Sequence, residues 1–264
     1  MRNSIKLAII IIIALVIAVS FSSCQAAKRV KGSEQFSGTI SAVEVSSDVA
    51  EITILPSDSG KAAVEWDGKI SRNRDFNVEE KDGTLSVLLT EKKRMFSWLP
   101  FSFFFQTDKG MDIRIFLPEE NLDEVTVHNE VGDIEITGVK MKDLQVDTDV
   151  AEVIIDGAAA DTIEAKSDVG DVTVKNSSGK LSVTTDVGEV NVELEEIEHD
   201  HFFQTNVGDV TLTLSAVPDN VTFQATTDVG SVHMFGKKGS YAVKQADYLV
   251  EIITDVGDIT VSAK

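Results

Sequence analysis

At 264 residues the chain has room for one or two domains. Its 44 Asp and Glu outnumber 24 Lys and Arg, a net charge of −20, which argues against nucleic acid as a partner because phosphate binding needs a cationic surface. One cysteine and four prolines exclude a disulfide scaffold, a multi-cysteine metal site and a collagen-like chain, while 42% apolar residues suffice for a core.

In chain order, residues 1–23 read first, as an export signal. Arg2 and Lys6 flank a short cationic head, the apolar run Leu7–Val19 follows, and Ser20, Phe21, Ser22 and Ser23 lead to Cys24. The run is short of the roughly 20 apolar residues that a spanning helix needs. Cys24 stands where the run ends, a placement that resembles the bacterial lipoprotein lipobox. Ser22 and Ser23 fit that pattern, whereas Phe21 replaces the usual Leu. The resemblance implies that Cys24 carries lipid as the mature N-terminus; an uncleaved signal anchor, or secretion without an anchor, is the other reading. Each places the body of the protein on the extracytoplasmic side, with the membrane as a partner through the N-terminus. Residues 24–35 then form a polar tether.

Residues 36–118 predict a β-rich N-terminal section with strands at Thr39–Val45, Glu51–Leu55, Ala62–Trp66, Phe76–Glu79, Thr84–Thr90 and Asp112–Leu117. Asp67-Gly68 and Asp82-Gly83 mark turns between them. Inside this section lies an aromatic stretch from Met95 to Phe105, containing Phe96, Trp98, Phe101, Phe103, Phe104 and Phe105 and preceded by Lys92, Lys93 and Arg94. Such a stretch either plugs an open hydrophobic core or contacts a membrane interface or partner protein.

Residues 119–264 are dominated by a repeat. The phrase Ser167-Asp168-Val169-Gly170-Asp171 recurs with small changes around Val131, Val150, Val169, Val187, Val207, Val229 and Val256, at steps of 19, 19, 18, 20, 22 and 27 residues. An eighth copy, Ser47 to Glu51, stands alone upstream. Aligned on the valine, the residues six and four before it and three and five after it are apolar at 27 of 28 positions; His201 is the exception. Spacing of two within each pair is the strand period, so each unit is two short strands joined by a tight turn. Neither strand buries its face alone. The units therefore stack as an all-β, single-stranded parallel β-solenoid of about seven short coils, with the N-terminal section as its cap.

The turn glycine supplies a positive φ, as a type II turn requires; Ala50 and Ala151 stand in its place in two copies and demand another turn or some strain. Just before the acid runs a polar column, Asn129, Thr148, Ser167, Thr185, Thr205, Thr227 and Thr254, which alternation points inward toward the turn carbonyls. Outward stands an acidic column, Asp133, Glu152, Asp171, Glu189, Asp209 and Asp258, with Ser231 in the same place in one coil. It reads as a solvated, anti-aggregation face, or as a place where Ca²⁺ binds weakly.

These T-D-V-G-D units, together with the upstream copy, the Asp82-Gly83-Thr84-Leu85 strand, the lysine-plus-aromatic stretch and the Ile113–Pro118 strand, resemble the bacterial putative-adhesin family of β-strand-repeat proteins, a domain of unknown function. The resemblance covers residues 36–264 and implies an exported, membrane-associated β-solenoid, in some relatives an accessory of envelope-stress operons.

Catalytic motifs are absent from the sequence: no G-x-S-x-G, phosphate-binding glycine loop or H-E-x-x-H occurs. His199-Asp200-His201 is the one metal-like cluster, and a local register slip in the longer coil would leave both imidazoles on a loop. The function that follows is a non-enzymatic surface protein without a cofactor, a scaffold, adhesion or envelope-stress module whose partner is an envelope protein or a surface glycan. The alternatives are a polysaccharide-active β-helix enzyme and a partner-binding module that uses residues 95–105.

Overall fold

Each valine-centred unit folds as two strands meeting at a corner, and the corners stack in register. The computed structural model describes residues 28–71, 73–91, 110–119, 122–239, 241 and 246–264. The export signal, Cys24 and the aromatic stretch 95–105 lie outside the described residues. All the regular elements described are strands, twenty-one of them.

The N-terminal section contributes β1 (Lys28–Gln35), β2 (Ala42–Pro56), β3 (Ala63–Ile70), β4 (Arg74–Lys81), β5 (Thr84–Glu91) and β6 (Met111–Leu117). Four repeats follow as β7 (Leu122–Val131) with β8 (Ile134–Thr137), β9 (Met141–Val150) with β10 (Val153–Asp156), β11 (Ala159–Val169) with β12 (Val172–Lys175), and β13 (Ser178–Val187) with β14 (Val190–Leu194). The last three are β15 (His201–Val207) with β16 (Val210–Leu214), β17 (Val221–Val229) with β18 (Val232–Met234) and the short β19 (Lys237–Lys238), then β20 (Tyr248–Val256) with β21 (Ile259–Ala263).

Equivalent strands pair in parallel and in register: Val125 sits beside Leu144, Leu144 beside Ile163, and Ile163 beside Leu181. The second strands form their own parallel ladder, Ile134 beside Val153 beside Val172 beside Val190. Two sheets thus face each other across one core, and the predicted inward columns are its lining: Val125, Val127, Leu144, Val146, Ile163 and Ala165 are at most 1% exposed. Burying each such side chain stabilises the stack by about 1.5–3 kcal/mol before the entropy of ordering is counted.

The order of coils departs from the order of sequence at both ends. Upstream, β2 is a whole coil in one unbroken strand: Ala42–Ser47 pairs with β5 on one side and β7 on the other, while Ala50–Leu55 pairs between β6 and β8. The solitary upstream copy is therefore an interior coil, and β5 with β6 forms a further one outside it. At the far end β20 and β21, last in sequence, lie between β15/β16 and β17/β18. The longer steps of 22 and 27 residues let the chain bypass one place in the stack and return to fill it. Seven repeats plus these two coils make nine parallel layers, a rod of about 38 Å at roughly 4.8 Å per layer.

Antiparallel strands cover the ends. β4 lies on β5, and β3 lies on β6 with β1 beyond it. Trp66 and Phe76, with ring centroids 5.2 Å apart, close the core there. At the other end β19 folds back on β18, and Phe223, Phe235 and Tyr241 meet edge to face over the last layer. Residues 28–35, expected to be part of a tether, form β1 instead. Their side chains are mostly exposed and show no hydrophobic period; the ladder to β3 and the pairing of Arg29 and Lys31 with Asp67 hold them.

Candidate functional site

The corner between the two sheets concentrates the polar chemistry of the repeat. Its hydroxyls bond as the alternation predicts: the buried Thr185 Oγ1 donates to the Gly170 carbonyl at 3.0 Å, Thr205 to Gly188 at 2.9 Å and Thr254 to Gly208 at 2.9 Å, and the half-buried Thr227 donates to Gly257 at 2.9 Å. Each bond runs to the adjacent layer, so the column stitches the stack together. Within the seven contiguous repeats the pattern breaks once; Ser47, in the upstream copy, is also buried without a partner. Asn129 Nδ2 donates both to Ala50 O at 2.9 Å and to Gly132 O at 2.6 Å, which occupies the carbonyl that Thr148 would use and leaves the buried Thr148 hydroxyl without a partner.

The glycine is fixed by the neighbouring layer more than by the turn. At Gly188 φ is +154°, and an added Cβ would lie 2.1 Å from the carbonyl oxygen of Gly170. That φ is far from the roughly +80° of a type II turn, so the expected turn type is not the one adopted. Ala50 and Ala151 keep ordinary negative φ and bear no left-handed strain.

Outside the corner three columns run side by side. The acidic column is exposed as expected, but its aspartates are bonded rather than merely solvated. Asp133 Oδ1 accepts from the Glu152 amide at 3.0 Å, Asp171 from Glu189 at 2.8 Å, Asp209 from Asp258 at 2.7 Å, and Asp258 from Ser231 at 2.8 Å. The bond to Ser231 is the main reason that the Asp258 carboxyl is held below its usual range. A second acidic column precedes the valine: Glu130, Asp149, Asp168, Asp186, Asp228 and Asp255. Charge crowding shows at Glu130, pushed up first by burial and then by Asp48 and Asp149, and at Glu51, pushed up by burial and then by Asp133. Among the described residues no three His, Cys, Asp or Glu side chains converge as metal ligands. Asp133, Glu152, Asp171, Glu189, Asp209 and Asp258 thus form a line of charge along the corner, not a convergent cluster.

Between the acidic columns stands the feature that the sequence reading missed. The central valines point outward: Val131, Val150, Val169, Val187, Val207, Val229 and Val256 are 43–64% exposed. Strict alternation from the inward positions six, four and two before them would bury them. The backbone changes phase at the corner, after the buried hydroxyl, and the valine emerges. The signal was available in the repeat, since the valine lies three residues, an odd number, before the next inward position.

His201 is placed differently from expectation. The extra residues of its coil are taken up in the segment 195–200, so β15 keeps register, with Phe203 beside Val183, and His201 occupies its inward column at 5% exposure. Its Nδ1 accepts the Leu181 amide at 3.1 Å, which puts the proton of the neutral ring on the buried, unpartnered Nε2. Burial, then the nearby His199, pushes its pKa down to about 4. With its lone pair engaged by Leu181, His201 is a core residue and not a ligand. His199 lies on the exposed rim of an open groove of about 300 Å³, beside Glu195, Glu196 and Glu198. Asp200 accepts the Leu249 amide from the neighbouring layer at 2.8 Å.

A parallel β-solenoid built on a corner phrase of this kind defines the class. The Toastrack DUF4097 family model matches residues 40–178 and 120–262, and the chain belongs to that family. No functionally curated protein matches the chain. Among solved structures it is similar to a "putative adhesin" of Bacteroides fragilis NCTC 9343, at 17% identity and a TM-score of 0.51, covering 90% of this chain and 98% of that one. It is also similar to a "putative cell adhesion protein" of Clostridium sporogenes ATCC 15579, at 16% identity and a TM-score of 0.44, covering 90% and 100%. A "putative lipid binding protein" of Parabacteroides distasonis ATCC 8503 matches at 14% identity and a TM-score of 0.48, over 88% and 96%. At these identities the likeness concerns the fold. Among the described residues no helix is long and apolar enough to cross a membrane.

Proposed function

We propose that the chain is a non-enzymatic, adhesin-like scaffold of the cell envelope, exported and tethered by lipid at Cys24, that presents its solenoid to a partner. One observation carries this reading. The corner hydroxyls and aspartates are bonded to the backbone of adjacent layers, and the chemistry left facing solvent is a regular, repeated edge. Repetition of one surface over many layers suits multivalent or extended contact more than a single reaction centre. The adhesion named for the Bacteroides fragilis structure agrees with this reading, as do the cationic head and apolar run before Cys24.

The test uses the full chain in its native cells. Labelling with a palmitate analogue is expected to mark the wild type and not Cys24→Ala, and surface protease is expected to digest the solenoid. A deletion strain is expected to lose surface attachment or gain sensitivity to cell-wall antibiotics. Equal labelling of both forms, with the apolar run retained, would replace the lipid by a signal anchor. A protease-inaccessible chain in intact cells would contradict the surface role.

A further inference from the structure

We propose that the valine ridge is a docking surface for a basic amphipathic helix of a partner protein. This deepens the scaffold reading by naming the class of partner, and it rests on that reading only for its setting outside the cytoplasm.

The ridge is continuous. Val49 pairs with Val131, Val131 with Val150, Val150 with Val169 and Val169 with Val187, and the column continues through Val207 to Val256 and Val229. Eight valines, Val49 partly buried and the other seven exposed, spaced by about 4.8 Å make an apolar line of roughly 34 Å. Isolated surface valines need no explanation, but a contiguous stripe along a whole molecule marks a contact.

Charge selects the occupant. Carboxylates flank the ridge on both sides, Asp149 and Asp186 on one and Glu152, Asp171 and Glu189 on the other. A second copy would bring the same acidic columns against these, and an anionic bilayer would be repelled. The complementary surface is an apolar line with cations on both sides. An extended strand presents one line of side chains every second residue and sends the intervening ones to the opposite face. A helix carries an apolar stripe with Lys or Arg on both of its margins, and its pitch of about 5.4 Å approaches the layer spacing. The ridge accommodates about 22 residues of such a helix at roughly 1.5 Å per residue.

The test uses the full chain in nanodiscs of zwitterionic lipid and a fluorescent Leu/Lys peptide of 22 residues patterned as an amphipathic helix. Controls are a scrambled peptide of equal composition and a Leu/Glu counterpart. The expected result is binding of the patterned peptide alone, with a gain in helicity. Changing Val169, Val187 and Val207 together to Thr, which keeps shape and strand preference, should weaken Kd about tenfold or more. Asp149→Asn with Asp186→Asn should weaken it further and flatten its salt dependence. Equal binding of the scrambled peptide, or a Kd unmoved by the valine changes, overturns the proposal. So does concentration-dependent self-association that the valine changes abolish, which would make the ridge an interface between copies. Recruitment of the chain to anionic vesicles through the valines would overturn it in favour of a membrane. Export and anchoring are untouched by any of these outcomes, so this reading and the scaffold reading fail separately.

Discussion

Threonine to valine should destabilise at one place in a buried column and not at another. Thr205 is fully buried, and its hydroxyl donates to Gly188 O at 2.9 Å across the layers. Valine preserves the volume, so the loss is the hydrogen bond together with the stranding of a buried carbonyl, about 1–2 kcal/mol. For a domain of this size that lowers Tm by roughly 3–6 °C. Thr148 is equally buried, yet its hydroxyl has no partner because Asn129 takes Gly132 O. Thr148→Val removes an unpaired buried hydroxyl, and stability should hold or rise by up to about 1 kcal/mol. Chemical denaturation of the two variants beside the wild type reads the difference directly. Equal losses at the two positions would refute the view that interlayer bonds, rather than burial of a hydroxyl as such, secure the corner.

Gly188→Ala should be among the most damaging single substitutions, since its Cβ would sit 2.1 Å from Gly170 O; a loss of several kcal/mol, or failure to accumulate folded protein in a thermal melt, is expected. His201 makes the fold acid-sensitive: its folded pKa of about 4 lies below the ordinary 6.5, so its contribution is complete above pH 6.5 and is lost as the pH falls toward 4. The total is about 3 kcal/mol, and His201→Asn, which keeps a δ-position acceptor for Leu181 but does not titrate, should flatten the stability profile across that window. Asp209→Asn keeps the acceptor for the Asp258 amide and should leave Tm unchanged or slightly raised, whereas Asp209→Ala should lower it by roughly one to a few degrees.

Much of the fold was legible because the repeat states it many times. Positions six and four before the valine and three and five after it carry the strand period so consistently that the parallel stack and its core lining follow from spacing alone. The hydroxyl column was legible for the same reason. What the period does not encode is the order of layers. β2 and β20/β21 have the same inward pattern as their neighbours, so nothing in their side chains distinguishes an interior place from a terminal one; only the long connections before Val229 and Val256 hint at it. The outward valines escaped because the columns on either side of the corner were given directions and the valine between them, where the backbone changes phase, was given none. His201 was misplaced for the opposite reason: a longer coil suggested a slip, but the segment 195–200 absorbed the extra length and left the strand register intact.

The account rests most heavily on the last coil lying inside the stack, and one cross-linking measurement tests it. In a Cys24→Ser background, Thr213 and Ser262, whose side-chain oxygens are 3.4 Å apart on adjacent strands β16 and β21, are changed together to cysteine. In a second variant Thr211 and His233 are changed; both register with Thr260, from opposite sides of β21, so they stand two layers apart at about 9.6 Å. Inserted order predicts a disulfide under mild oxidation in the first pair and none in the second, because bridged Cα atoms lie within about 7 Å. Cross-linking of the second pair without the first would mean that the coils stack in the order of the sequence, and the described end of the rod would be wrong.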